Sequence, residues 1–289
     1  MHMDKSTNKN AQLSEPKVWF ITGCSTGFGR EIALAALEAG YRVVVTARRL
    51  ESIDDLVQLY PQHAYPLRLD ITNNQQVEAA VADALAHFGH IDILVNNAGY
   101  GYVAAIEEGE DGAVRDLFET NFFGVLALTK AVLPHMRKRR SGRVINNSSQ
   151  AGLMANPGTG YYSASKYALE GLMEALAKEL EPFNIQVTSV QPGAFRTDWA
   201  GRSMQRSALS LEDYYPHVGS RLDMIADMDG KQPGDPKLGA EAFLMLAECD
   251  NPPVQLLLGN GVLAAYREKI ADVQSNLDTW ESVTCGVDF

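Results

Sequence analysis

One rhythm constrains this chain more than any other feature. From Val18 to Val190, short apolar runs alternate with longer amphipathic ones. The apolar runs Val18–Thr22, Tyr41–Thr46, Ala64–Leu69, Ile91–Val95, Gly142–Asn147 and Ile185–Val190 are each continuous, as expected of strands buried on both faces. Between them, Arg30–Ala39, Leu50–Leu59, Asn74–Phe88, Gly112–Lys138 and a segment through Tyr162 show helical spacing. Strands that alternate with helices predict a parallel sheet with helices on both faces. After Val190 the rhythm lapses. Gln191–Lys237 mixes Pro, Gly, Ser, Met and Asp, and a long irregular stretch of this kind is expected to be a lid or binding loop. A helix over Lys237–Ala247, a seventh strand over Val254–Leu258 and a terminal helix over Val262–Trp280 follow. That last helix carries Leu263, Tyr266, Ile270, Val273 and Leu277 on one side. No break in composition divides the chain, so one domain over residues 16–289 is expected, preceded by a polar, disordered leader over residues 1–15.

Charge and cysteine usage exclude several classes of partner. The formal net charge of −11 disfavours nucleic acid and anionic membrane surfaces. The basic run Arg137–Arg140 is a solvated helix end in this reading. Cys24, Cys249 and Cys285 are scattered and odd in number, with neither disulfide nor zinc spacing, which points to a reducing, cytoplasmic setting. His87 and His90 have no further ligands nearby, so no metal site is expected. No apolar run approaches the roughly 20 residues that span a bilayer.

The chemistry sits where strands end. Thr22 to Gly29 (Thr-Gly-Cys-Ser-Thr-Gly-Phe-Gly) joins the first strand to the first helix. Glycines there allow a tight turn and close approach of backbone to a pyrophosphate, and the helix N-terminus supplies oriented N–H groups. Gly23, Ser25, Thr26, Gly27, Phe28 and Gly29 are therefore cofactor candidates. The second strand runs into Arg48-Arg49 where an acidic residue would grip the ribose of NAD. A guanidinium suits a phosphate, so NADP(H) is favoured over NAD(H), with Arg48 as the contact. Asp70 and Ile71 follow the third strand, placed to meet an adenine. Asn97-Ala98-Gly99 ends the fourth strand and Ser148-Ser149 the fifth. Tyr162 and Lys166 stand four apart on one helix face. An ammonium about 4 Å from the phenol, at an effective dielectric of about 20, would favour the phenolate by roughly 4 kcal/mol before desolvation. That would bring an acid of pKa about 10 toward neutrality.

Taken in order, the Gly-x3-Gly-x-Gly turn, Asn-Asn-Ala-Gly, the paired serines, Tyr-x-x-x-Lys and Pro192-Gly193 resemble the short-chain dehydrogenase/reductase family over about residues 17 to 200. The resemblance implies a Rossmann-type doubly wound α/β fold with a seven-stranded parallel sheet. It implies hydride transfer between NADPH and a ketone or secondary alcohol. It selects Ser149, thirteen residues ahead of the tyrosine, and adds Asn121, in Glu-Thr-Asn-Phe-Phe-Gly, to Tyr162 and Lys166 as a catalytic tetrad. Pro192, Gly193 and Thr197 match its nicotinamide-contacting segment. Tyr162 would act as acid or base, Ser149 would polarise the carbonyl, and Asn121 would hold a relay water. The family's usual state is a homodimer or homotetramer. Tyr102, Phe195 and Trp199, on expected loops, are candidate substrate contacts, and with Gly101, Leu153, Met154 and Met204 they suggest a small, largely apolar substrate. Two rival readings share the fold: a catalytically silent NADP(H)-binding redox regulator, and an epimerase or dehydratase of a nucleotide sugar.

Overall fold

The computed structural model describes residues 15–199 and 201–288. In chain order the first half comprises β1 (Val18–Ile21), α1 (Gly27–Glu38), β2 (Arg42–Ala47), α2 (Asp54–Leu59), β3 (Ala64–Arg68), α3 (Asn74–Phe88), β4 (Ile93–Asn96) and β5 (Gly101–Val103). There follow α4 (Asp111–Phe118), a π-helical turn (Glu119–Gly124), α5 (Val125–Arg139), β6 (Gly142–Asn147), α6 (Gly160–Leu180) and β7 (Ile185–Pro192). The chain ends with β8 (Met204–Arg206), α7 (Ser220–Asp227), α8 (Pro236–Glu248), β9 (Gln255–Leu258) and α9 (Asn260–Cys285). The leader expected over residues 1–15 lies outside the described residues, apart from Glu15.

Seven strands form one sheet in the order β3-β2-β1-β4-β6-β7-β9, and every neighbouring pair is parallel. The continuous apolar runs are explained by what lies on each side. Trp19, Ile21, Val43, Val45, Ile93 and Val95 point to one face, where α1 and α8 bring Ile32, Ala33, Ala36, Phe243 and Leu246. Phe20, Val44, Leu94 and Val144 point to the other, against Val77 and Val81 of α3, Leu128 and Val132 of α5, and Leu169 and Met173 of α6. A strand that alternates between two cores cannot afford a polar face. This is the doubly wound, Rossmann-type arrangement.

Strand order reverses at β1. The chain steps outward to β2 and β3, then returns to lay β4 on the other side of β1. That reversal opens a crevice at the carboxyl ends of β1 and β4, where ligands bind in open sheets of this kind.

Three segments depart from the sequence reading. The helix expected over Gly112–Lys138 is broken by the π turn over Glu119–Gly124. There the chain runs hard against the third strand's exit: a Cβ on Gly124 would lie 2.8 Å from the Ile71 carbonyl oxygen. Asn121 inside the turn is bonded to the backbone of Tyr100, and a π turn re-aims side chains in this way. Second, the irregular stretch after Val190 is partly ordered into β8, which pairs in parallel with β5, and into α7. Neither short strand has the length or periodicity to show in sequence. Third, the apolar side expected on the terminal helix does not face a core. Of α9 only Val262 is buried, while Leu263, Ile270, Val273, Leu277 and Trp280 are exposed. Elsewhere element ends differ from expectation by a few residues, as ends do. Among the described residues no helix is long and apolar enough to cross a membrane.

Candidate active site

A cavity of about 1090 Å³ runs along the crevice. One end is walled by the glycine turn. Its glycines do different jobs. Gly23 and Gly27 have φ of +72° and +58°, in the left-handed region. Gly29 is instead a matter of space: a Cβ there would lie 2.2 Å from Asn97 Nδ2 and 2.3 Å from the Gly23 carbonyl oxygen. Helix α1 begins three residues earlier than its periodicity suggests, so Phe28 and Gly29 form its first turn. Its N-cap, Thr26, makes no side-chain cap, and the first turn holds no acidic residue. The helix therefore presents uncapped N–H groups and partial positive charge to the cavity, which is what a pyrophosphate needs. The cradle fits the dinucleotide that the glycine spacing implies.

Most of the predicted cofactor residues meet here: Gly23, Ser25, Thr26, Gly27, Phe28, Arg48, Asp70, Ile71, Asn97, Ala98, Gly99, Pro192, Gly193 and Thr197 all line the cavity. Arg48 stands exposed at the end of β2, beside Arg49, and neither forms an ion pair among the described residues. Gly29 is not in the wall; it lets α1 close on β4. The Phe28 ring packs 4.9 Å from that of Phe195 and 6.3 Å from that of Phe243 between ring centroids. Cys24 is fully buried, and burial pushes its thiol up to about 12, so it is an inert core residue.

Ser149, Tyr162 and Lys166 reach the same cavity from the opposite wall. Ser149 caps the short turn after β6, its Oγ accepting from Ala151 N at 3.1 Å. Lys166 is buried, and its Nζ donates to the Asn147 carbonyl oxygen at 3.0 Å and lies 5.8 Å from the centre of the Tyr162 ring. Burial decides both acidities. It raises the Tyr162 phenol to about 12, although the Ser149 and Trp199 side chains pull it back. It lowers Lys166 to about 8, against the attraction of Glu170. The simple Coulomb expectation of a near-neutral phenol is thereby corrected: desolvation sets the phenol's acidity, and the amine donates to a carbonyl instead.

Asn121 is buried beneath this floor, not in it. Its Oδ1 accepts from Tyr100 N at 3.1 Å, and its Nδ2 donates to the Tyr100 carbonyl at 2.9 Å and to Ser165 Oγ at 3.2 Å. The side-chain amide is thus spent on positioning Tyr100 and Ser165. Gly99 fits between this group and the lysine; a Cβ on it would be 3.0 Å from Asn121 Oδ1 and 3.9 Å from Lys166 Nζ.

The substrate side corrects another expectation. Tyr102 does not line the cavity. It sits on β5, 3% exposed, and its hydroxyl accepts from Glu110 N at 2.8 Å. Gly101, Leu153, Met154 and Met204 are also outside the wall. Pairing with β8 turns β5 inward, which sequence could not show. Phe195 reaches the cavity edge while packing on Phe28. Trp199 covers Gly101, where a Cβ would lie 2.9 Å from Cζ2, and its ring is 5.3 Å from that of Tyr162. With Ser149, its buried indole N–H pulls the Tyr162 phenol back down.

Sequence places Thr22 at the end of the first strand but assigns it no role. Thr22 Oγ1 accepts from the N–H groups of Asn97 and Ala98 at 2.8 and 2.9 Å, and Asn97 Nδ2 donates to the Thr22 carbonyl at 2.8 Å. A threonine closing an apolar strand gave no distinguishing signal.

Comparison with known proteins agrees with this geometry. Residues 17–208 match the family model described as short chain dehydrogenase. The 3-ketodihydrosphingosine reductase of Bacteroides thetaiotaomicron is 39% identical, over 91% of this chain and 95% of that protein. The crystal structure of a short-chain dehydrogenase from Streptomyces avermitilis superposes with a TM-score of 0.90 at 43% identity, covering 95% of this chain and all of that one. ElxO, solved with NADP bound, superposes with a TM-score of 0.71 at 27% identity, over 86% of this chain and 99% of its own.

The Gly29 contact yields a direct test. Gly29→Ala is expected to weaken dinucleotide binding by at least about tenfold, because the new methyl group must displace Asn97 or the turn. Gly171→Ala, on an open face of α6 with nothing within 4 Å of the added carbon, is expected to bind normally and to gain up to about 1 kcal/mol. Fluorescence titration with the dinucleotide and urea unfolding of the two variants check both.

Proposed function

The chain belongs to the short-chain dehydrogenase family and is an oxidoreductase acting on CH–OH groups; on that premise we propose that it moves hydride between NADPH and the ketone or secondary alcohol of a small, largely apolar substrate. The observation that carries this reading is that Tyr162, Lys166 and Ser149 line one cavity with the uncapped N-terminus of α1.

When bound, the dinucleotide supplies hydride in reduction and takes it up in oxidation. Tyr162 is held protonated by burial, so in the resting site it is the acid for reduction and gives its proton to the carbonyl oxygen. Ser149 Oγ, beside that phenol, orients and polarises the same oxygen. Lys166 stabilises the phenolate left behind, and can do so only while charged. The ammonium is present below its pKa of about 8 and lost above it. Asn121 holds the Tyr100 backbone and, through its own carbonyl, a water that returns the proton by way of Lys166. In oxidation the phenol must first be deprotonated, so alkaline conditions favour that direction.

Arg48 supports NADP(H) over NAD(H). It lines the cavity at the end of β2, where a carboxylate would repel a phosphate and none is present. A catalytically silent regulator has nothing to gain from a retained tyrosine–lysine pair buried against the cradle. We assign a homodimer or homotetramer, with Phe123 and the stripe on α9 as apolar surface left open in the single chain. A reducing, cytoplasmic setting suits the three free cysteines.

Tyr162→Phe is expected to lose nearly all turnover while keeping NADPH affinity within about twofold, read by NADPH absorbance on a ketone panel and by cofactor titration; normal activity would remove the assigned acid. The kcat/KM for ketone reduction is expected to decline above about pH 8 as Lys166 loses its charge, and a profile flat to high pH would contradict that role. Arg48→Ala is expected to weaken NADPH by about tenfold or more with little change for NADH; an unchanged ratio of the two would count against NADP.

A further inference from the structure

Helix α7 brings a cation to the substrate end of the cavity for which the proton and hydride steps have no use. Arg221 lines the cavity together with Met224, Ile225 and Met228 from the same segment. It is half-buried, its Nε is buried with no acceptor, and no carboxylate among the described residues lies within ion-pair distance. Burial alone lowers its pKa, with no acidic neighbour to offset it. Asp116 and Glu119 line the same cavity without an ion pair among the described residues, while two other acids are committed elsewhere. Asp198 pairs with Arg202, and Asp223 accepts from the Tyr215 hydroxyl at 2.9 Å and faces Arg206 at 3.9 Å.

The helix is also tied to the catalytic end. Gly158, at φ +78°, has Leu222 Cδ2 and Val218 Cγ1 at 2.9 and 3.3 Å from where its Cβ would be. The turn it belongs to leads directly into the helix that bears Tyr162, and Asn156 and Thr159 of that turn line the same cavity. Leaving a guanidinium partly desolvated and unpaired costs stability, and such groups are satisfied by an anion when they serve a site. The fork of an arginine matches a carboxylate bidentately. A single cation amid methionine and isoleucine balances a single negative charge, which a carboxylate carries and a phosphate dianion exceeds.

We propose that the substrate is an oxo acid or the corresponding hydroxy acid, its carbonyl at Tyr162 and its carboxylate on Arg221, with the apolar body between them against Met224, Ile225, Met228 and Trp199. This rests on the oxidoreductase reading of the same cavity and adds to it the charge and the amphipathic character of the substrate.

The test uses the full chain with NADPH and a series of oxo acids whose carbonyl stands progressively further from the carboxylate, each paired with its methyl ester. At least one acid is expected to exceed its ester in kcat/KM by about 10- to 100-fold, the range for a hydrogen-bonded ion pair. In Arg221→Met that ratio is expected to collapse toward one, and likewise in Arg221→Gln, which carries the comparison if circular dichroism shows the first variant misfolded. Equal rates for acid and ester through the whole series, or a ratio unchanged in a folded variant, would overturn the proposal. If no ketone is turned over, the oxidoreductase reading has failed and binding decides the proposal instead. Decanoate should then quench the indole fluorescence at lower concentration than decanol in the native chain and lose that advantage in the variants; equal binding of the two would overturn it.

Discussion

A line of hydrogen bonds crosses the carboxyl edge of the sheet, and the site depends on it. Thr22, closing β1, receives the N–H groups of Asn97 and Ala98. Asn97 Oδ1 accepts from Asn147 Nδ2 at 2.8 Å, and the Asn147 carbonyl accepts from Lys166 Nζ at 3.0 Å. The line thus runs from the glycine turn through β4 and β6 to the lysine. Parallel strands alone set these groups about 4.8 Å apart in the hydrogen-bonding direction. The side-chain amides convert that spacing into a fixed relation between cradle and acid. Gly29 matters for the same reason. Only with no side chain there can α1 close on Asn97 without breaking the line.

The site is electrostatically tense because it is buried. A phenol raised to about 12 and an amine lowered to about 8 each resist the charge that the reaction asks of them. Glu170 lies one turn beyond Lys166 and offsets part of this. It is 7% exposed, and its Oε2 accepts from Gln191 and Gln255 at 2.9 and 3.1 Å. Held by two neutral amides, it sits where it raises the lysine's pKa against the effect of burial.

How far the sequence discloses all this follows from which forces are local. Continuous apolar runs disclose the sheet, since burial on two faces admits nothing else. Glycine spacing discloses the cradle, since a positive φ at Gly23 and Gly27 and a missing Cβ at Gly29 leave little choice of residue. The tetrad is legible only through resemblance; Tyr-x-x-x-Lys alone is a common surface pattern. What stays hidden depends on partners distant in the chain. The π turn at Asn121 answers to Ile71 and Tyr100, neither of them near in sequence. The acidity of Tyr162 depends on burial that no pairwise spacing measures. Thr22 differs from any other threonine only by what lies across the sheet.

The substrate wall is the extreme case. It is assembled from Tyr100 just ahead of β5, the turn before α6, the segment around Trp199, and α7, its ends more than one hundred residues apart. None is long enough to carry a period. Tyr102 reads in sequence as a contact and becomes a helix-capping group once β8 pairs with β5. Arg221 carries no signal in the sequence and becomes part of the wall once Gly158 lets α7 settle on the turn before Tyr162. The sheet and the line across its edge hold the reacting groups without reference to these segments, so the wall is free to vary while the chemistry stays fixed. Specificity here is a property of tertiary pairing, and an unpaired group such as Arg221 shows it more directly than any motif does.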